Sequence, residues 1–320
     1  MAGKLGPFRL RPWFSERVWG RRSLAPWYAS TGTEERVGEA WLTGPASVVD
    51  TGEFAGATLA EVVAQRPGEV LGGGVDGDPD DGPPEFPLLV KLLFPEEKLS
   101  VQVHPDDAQA QAMGQPRGKT ECWYVLEAEP GAAVALGMKP GSTPERVRAA
   151  IADGTMEDLM RWVPVAEGDM IFVDAGTVHA IGPGVVLLET QQTSDTTFRM
   201  YDYGRPRELH VEQGLRVMKA ETKAGKVAPR AMEGFTRLIE QRYFTVDRFV
   251  GAAGGRVEIA ADRPGCLVGL TGAAAVEAAG AERVELVPGQ AVVVPAAGGQ
   301  VVVRAQREAS FVRCFASPLR

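Results

Sequence analysis

The stretch EGDMIFVDAGTVHAIG (residues 167–182) is a glycine, a short apolar run, a turn of small residues and a second run that begins on a histidine. Its apolar run is too short for a helix and rich in the residues of buried strands, so it reads as strand, turn, strand. PGQAVVVPAAGGQVVV (288–303) repeats the pattern. Eleven residues after Gly168 stands His179, and eleven after Gly289 stands Gln300. If the two stretches are related, the second copy has kept the strands and lost the imidazole.

Most of the remaining chain follows the same rhythm. PLLVKLLF, CWYVLEA, GVVLLETQ, LVGLTG and QVVVRA are short apolar runs closed by glycine, proline or aspartate. Strands in series with glycine-rich turns predict an all-β sandwich or barrel. Helices are predicted over TPERVRAAIADG, with Thr143 as N-cap and Pro144 in the first turn, over TMEDLMRWV after it, and within 206–220. GGGVDGDPDDGPP (72–84) has nothing to bury and reads as a surface loop. Its DGDPDDG resembles a calcium loop but lacks the glutamate that an EF-hand requires at its end. Residues 221–240 read as a linker between a larger part, 1–220, and a strand-rich part, 221–320.

Composition narrows the function. The chain has 320 residues, 44% of them hydrophobic and 24% charged, with a net charge of −8. No basic cluster offers a nucleic-acid footprint or an anionic-membrane contact. No apolar run is long enough to span a bilayer, and the first twenty residues lack a signal-peptide core, so a cytoplasmic protein is expected. Cys122, Cys266 and Cys314 are odd in number and far apart, which argues against a disulfide framework or a thiolate zinc site.

Only three histidines exist, and one lies in KLSVQVHPDD (98–107). In an extended strand Gln102 and His104 point to the same side, and Val101 and Val103 to the other. His179 follows a glycine-containing turn, and Glu121 opens the strand of GKTECWYV. Two imidazoles, a carboxylate and an amide oxygen without thiolate suit zinc or another divalent first-row ion. Each of these histidines has a plainer reading as a hydrogen-bonded core or surface residue.

LSVQVHPDD, GKTECWYVLEA, AGTVHAIG and LLETQQTSDTTFRMYDYGR, with FSERVWGRRSL and VGEAW before them, resemble type I mannose-6-phosphate isomerases in their shorter bacterial form. The resemblance is specific from about residue 8 to 220 and looser beyond. It implies a bicupin, two β-jelly-rolls with a few short helices, the first catalytic and the second metal-free. It implies one zinc ion per chain, held by Gln102, His104, Glu121 and His179. It also implies a small-molecule partner, a hexose 6-phosphate, converted between mannose and fructose forms, by a monomer or a dimer. Asp174 departs from the family's usual turn proline, and Arg205 stands where longer relatives have lysine.

Moving a proton between C2 and C1 through a cis-enediol requires an acid/base group, positive charge for the oxyanion and a phosphate clamp. Lys119 is two residues from Glu121, where a nearby cation would lower its proton affinity; a solvated turn lysine is the plain alternative. Glu189 in LLETQQ is a candidate base, or else a strand-edge salt-bridge partner. Arg199 resembles the family's active-site arginine and suits an enediolate, unless it merely pairs with Asp195 or Asp202. For the phosphate, Ser100, Lys91 and Arg205 are the candidates, although Lys91 also reads as a snorkelling strand lysine. Trp13, Trp19, Trp27 and Trp41 read as core residues, with a sugar-pocket lining as the alternative. A sugar-phosphate sensor would not need Lys119, Glu189 and Arg199 together, and a cupin oxygenase would offer more histidines.

Overall fold

The structure, a computed structural model, describes residues 4–73 and 83–317. The calcium-like DGDPDDG and most of the expected surface loop fall outside these residues.

Four antiparallel sheets form two sandwiches. One large sheet runs, edge to edge, Gly225–Val227, Met170–Val173, Glu121–Ala128, Val185–Gln192, Leu88–Leu93, Val37–Trp41 and Trp13–Arg21. The other runs Phe8–Leu10, Ala291–Val294, Gly265–Thr271, Ala309–Ala316, Phe244–Gly251, Phe235–Glu240 and Arg230–Met232. Apart from the first strand named in each, the two sheets visit their strands in the same chain order. The smaller sheets do the same: Val101–Val103, His179–Ile181, Ala133–Met138 and Met160–Pro164 match Arg256–Ala261, Gly299–Ala305, Ala274–Ala278 and Val284–Leu286. The first of these also carries Phe198–Tyr201 at its edge. The repeat glimpsed at 167–182 and 288–303 therefore extends through the whole molecule.

The halves also exchange edge strands. Phe8–Leu10 pairs with Ala291–Val294 in the second half, and Gly225–Val227 pairs with Met170–Val173 in the first. Both pairings cross the expected division at 220. The stretch 221–240 is no linker: it forms Gly225–Val227, Arg230–Met232 and Phe235–Glu240. It looked like one because Arg230–Met232 is a wholly exposed edge strand with no apolar face to bury.

The large sheets pack back to back, which explains why strands such as Leu88–Leu93 are buried on both faces and read as continuous apolar runs. Leu88, Val90, Leu92, Val186 and Leu188 meet Val246, Cys266, Val268, Val293 and Cys314 in the layer between them. The alternate residues, Leu93, Trp123, Val125, Val185 and Leu187, point into the first sandwich. A fully buried aliphatic side chain is worth about 1.5–3 kcal/mol, so slipping one of these strands by a single residue would exchange two filled cores at once.

Helices are few and short. Pro144–Ala152 forms as expected, with the Thr143 side chain accepting from Arg146 N. The expected TMEDLMRWV helix is instead one 3-10 turn, Met156–Leu159, followed by the strand Met160–Pro164, whose β-branched and aromatic residues pair with Ala133–Met138. The helix within 206–220 shrinks to Val211–Val217, because Arg205 and Arg207 turn back to Asp202. Leu59–Gln65 and Asp107–Ala112 were not anticipated. Each carries a capping box, Thr58 with Glu61 and Asp106 with Gln109, a signal legible in the sequence. Among the described residues no helix is long and apolar enough to cross a membrane.

Candidate metal centre and active-site cleft

Strand pairing brings the predicted donors together from three segments. In the smaller sheet of the first sandwich, Arg199, Gln102 and His179 lie side by side in one cross-strand row. Val101 and Val103 face the opposite way, into a cluster with Val147, Met156 and Met200. Facing them, in the large sheet, Glu121 pairs with Gln191, and one row along Trp41, Lys91, Glu189 and Trp123 stand abreast. Between these two sheets His104, Glu121 and His179 converge, fully buried, with their donor atoms within 4.8 Å of one another.

The chemistry of this trio fits a cation. Glu121 Oε1 is 3.3 Å from His179 Nε2, and Oε2 is 3.5 Å from His104 Nε2. His104 Nε2 and both carboxylate oxygens are buried without a hydrogen-bond partner. Each imidazole is fixed from behind: His104 Nδ1 donates to Thr196 O at 3.0 Å, and His179 Nδ1 to Thr177 O at 2.8 Å. A carbonyl can only accept, so both protons sit on Nδ1 and both Nε2 lone pairs face Glu121. Burial, aided by the Lys119 charge, holds His104 well below the usual imidazole range. Burial likewise holds His179 down to about 4, against the bond to Thr177. Both rings are therefore neutral, the form a metal binds. Glu121 Oε2 meets the buried Lys119 ammonium, but His104 Nε2 and Glu121 Oε1 would be costly to bury unpaired without a further cation. Gln102 Nε2 lies 3.2 Å from His179 Nε2; turning its amide over would present the oxygen to the same point.

A cleft of ≈ 470 Å³ opens beside the trio, within the usual range for a small-ligand site. Ser100, Gln102, Lys119, Glu189 and Arg199 all line it. Lys119 Nζ is buried 3.2 Å from Glu121 Oε2, so it is not a solvated turn lysine. Burial favours its neutral form, but Glu121, Glu189 and Asp195 outweigh that and raise it. Among the protein's own groups the shift thus runs opposite to the one a cation would cause. Glu189 is on the middle strand of seven, not an edge. It accepts from Trp123 Nε1 at 3.1 Å, and burial together with the Glu121 charge pushes it up to about 7.

Arg199 donates from Nη1 to Glu208 O at 2.8 Å and leaves Nε buried without a partner. Among the described residues it makes no ion pair. Asp202 is taken by Arg205 and Arg207, and Asp195 by Lys91.

Two phosphate candidates are placed differently from expectation. Arg205 does not line the cleft; it binds Lys98 O, Asp202 and Glu97, tying two loops together. Lys91 lines it, but deep inside: its ammonium stands 4.3 Å over the Trp41 ring, with Glu39, Glu189 and Asp195 between 3.4 and 3.9 Å away. Three carboxylates already match its charge, so it is neither snorkelling nor free for a phosphate. Sequence reasoning missed Arg17 and Arg207, which line the same cleft. Arg207 stands two residues from Arg205, and both pair with Asp202; the further bonds of Arg205 to Glu97 and Lys98 O distinguish their directions. Of the four early tryptophans, Trp19 is core and also borders the cleft, whereas Trp13 is 54% exposed and edge-on to Trp41. Trp27 is half-buried and donates to Glu127.

Residues 7–138 match the family model for the catalytic domain of type I phosphomannose isomerase. Over 258 residues the chain is 38% identical to mannose-6-phosphate isomerase ManA of Bacillus subtilis, covering 76% of this chain and 79% of the relative. The chain belongs to the mannose-6-phosphate isomerase family. The enzyme of Streptococcus mutans is 37% identical over 253 residues, 75% of this chain and 77% of its own. The crystal structure of the mannose 6-phosphate isomerase from Bacillus subtilis superimposes with a TM-score of 0.83 at 29% identity, covering 97% of this chain and 99% of that one. The mostly β, cupin-like architecture is thus the mannose-6-phosphate isomerase fold, and the chain is an enzyme of that class.

Proposed function

We propose that the chain interconverts D-mannose 6-phosphate and D-fructose 6-phosphate through a cis-enediol, in the cytoplasm, with one zinc ion held by Gln102, His104, Glu121 and His179. The observation that carries this reading is the buried trio, with both Nε2 atoms aimed at Glu121, opening into a cleft that holds Lys119, Glu189 and Arg199. When bound, the zinc supplies Lewis acidity toward the sugar's oxygens.

The chain's own residues do the rest. Glu189 takes the proton from C2 and returns it to C1, while the O2 proton passes to O1. Its partner Trp123 holds the carboxylate at the cleft wall. The Lys119 ammonium and the Arg199 guanidinium meet the negative charge that the enediolate develops. Arg199 suits this role because none of its charge is matched beforehand. Ser100, Arg17 and Arg207, all lining the cleft, receive the phosphate in place of the expected Lys91 and Arg205, with Arg17 also pairing with Glu39 and Arg207 with Asp202.

A coupled assay of the purified protein tests the reading. Mannose 6-phosphate should turn over, a chelator should abolish turnover, and zinc should restore it. Free mannose should be a far poorer substrate. Equal turnover with and without the phosphate, or full activity after complete metal removal, would refute it.

A further inference from the structure

Behind the strand that begins at Glu121 runs a chain of hydrogen bonds for which the reaction as described has no use. The Asp107 carboxylate accepts from Gly118 N and Gln192 Nε2, both at 2.9 Å, through Oδ1, and from Tyr243 OH at 2.6 Å through Oδ2. Gln192 Oε1 in turn accepts from Thr120 N at 2.9 Å. The amide between them, Lys119 N, donates to Pro105 O at 2.9 Å. All three backbone amides that precede Glu121 are therefore pinned, and the acceptors come from HPDD, the segment that carries His104, and from Gln192.

The packing is as close as backbone allows. A Cβ on Gly118 would lie 2.5 Å from Asp106 C and 2.6 Å from Pro105 O. Burial alone would raise the Asp107 carboxyl, but the bonds from Tyr243, Gln192 and Gly118 outweigh it and hold it below the usual range. It is thus a permanent acceptor for all three donors. Tyr243 belongs to the second half of the molecule, in the turn between Phe235–Glu240 and Phe244–Gly251. None of the three side chains lies among the metal donors.

We infer that Tyr243, Asp107 and Gln192 are positioning residues that hold Lys119 and Glu121 against His104, and that through Tyr243 the second jelly-roll contributes to the chemistry of the first. The inference rests on the proposed isomerase reading for its kinetic consequence, and on the hydrogen-bond chain alone for its structural one. Outer partners that orient a metal site are typically worth about ten- to a hundredfold in affinity or activity.

The test uses Tyr243→Phe, Asp107→Asn and the double variant in the full-length, metal-loaded protein. Tyr243→Phe should lower kcat by about tenfold with KM changed less than about twofold and metal content unchanged, since only orientation is lost. Asp107→Asn should lose more, and the double variant no more than Asp107→Asn alone, because both act through one chain. Amide exchange at Gly118–Thr120 should quicken in Tyr243→Phe while the rest of the protein keeps its protection. An unchanged kcat, a multiplicative double variant, or a general loss of protection would overturn the inference. If the wild-type protein turned over no mannose 6-phosphate, the isomerase reading would fall by itself. The exchange measurement would then decide alone, and unchanged protection at Gly118–Thr120 would overturn the positioning role.

Discussion

Replacing Arg199 with alanine separates catalysis from binding and from stability. The guanidinium makes one hydrogen bond, to Glu208 O on the exposed side of the strand, and no ion pair among the described residues. Deleting it should therefore cost only about 1 kcal/mol of folding stability, the usual net value of one such bond. Its backbone pairing with Gln102 and His210 survives the change, so the neighbouring donors stay in place. If the guanidinium meets charge that arises only in the enediolate, its loss falls on the transition state. One oxyanion donor is worth roughly a hundred- to a thousandfold in rate, about 2.7–4 kcal/mol. Steady-state kinetics with mannose 6-phosphate should then show kcat lowered by that factor, a much smaller change in KM, and metal content equal to wild type by elemental analysis. Arg199→Lys should recover only part, since lysine keeps the charge and loses the planar fork. A kcat within about threefold of wild type, or metal loss as the main effect, would show Arg199 to be structural, leaving Lys119 to stabilise the enediolate.

Three further outcomes follow from the geometry. His104→Ala should lose both bound metal and activity, whereas His210→Ala, whose ring lies outside the donor trio, should retain the metal; equal metal content in the two, by elemental analysis, would remove His104 from the site. In the metal-free protein Glu189 is raised from an ordinary 4.5 to about 7, so the native state holds its proton more tightly than the unfolded chain. That stabilisation is complete below about 4.5 and is lost as pH rises through about 7, and Glu189→Gln should flatten this part of the curve of denaturant midpoint against pH. An unchanged slope would mean that Glu189 ionises normally. Gly118→Ala should destabilise by about 1–3 kcal/mol in urea, because the methyl group meets backbone that cannot yield; a neutral effect would show that the HPDD segment can move.

How much of this the sequence reveals depends on whether a feature is local. The pairing of Gln102 with His104 and the glycine turn before His179 follow from strand alternation and were legible directly. That these residues meet Glu121 follows from the packing of two sheets face to face, which no short window contains, and only the family resemblance brought the four together. Arg205 and Arg207 look alike in sequence and share Asp202; Glu97 and Lys98 O, more than a hundred residues away in the chain, draw Arg205 from the cleft and leave Arg207 lining it. The exchanged edge strands escaped notice for the same reason. Gly225–Val227 and Phe8–Leu10 are only three residues each, and their partners lie in the opposite half. The two capping boxes, by contrast, were local and could have been read.

The register of the second half shows that it does not repeat the donor cluster of the first. Ala260, Gly265 and Gln300 occupy the cross-strand positions of Gln102, Glu121 and His179. A side chain at Gly265 is excluded outright, since a Cβ would lie 2.6 Å from Cys314 O and from the Phe315 side chain. Gln300 is exposed and donates to Glu258 rather than pointing at a shared centre. The facing pair Lys91 and Glu189 returns as Asp247 and Arg313, with the charges exchanged. The interior beyond is filled, with Phe249 stacked on Phe311 at 5.0 Å. Restoring donors one at a time therefore cannot rebuild a site there: the carboxylate position has no room, and stacked aromatics occupy the interior. What the second half offers the first is the edge strand Gly225–Val227, a sheet packed against the first large sheet, and the Tyr243 hydroxyl reaching Asp107.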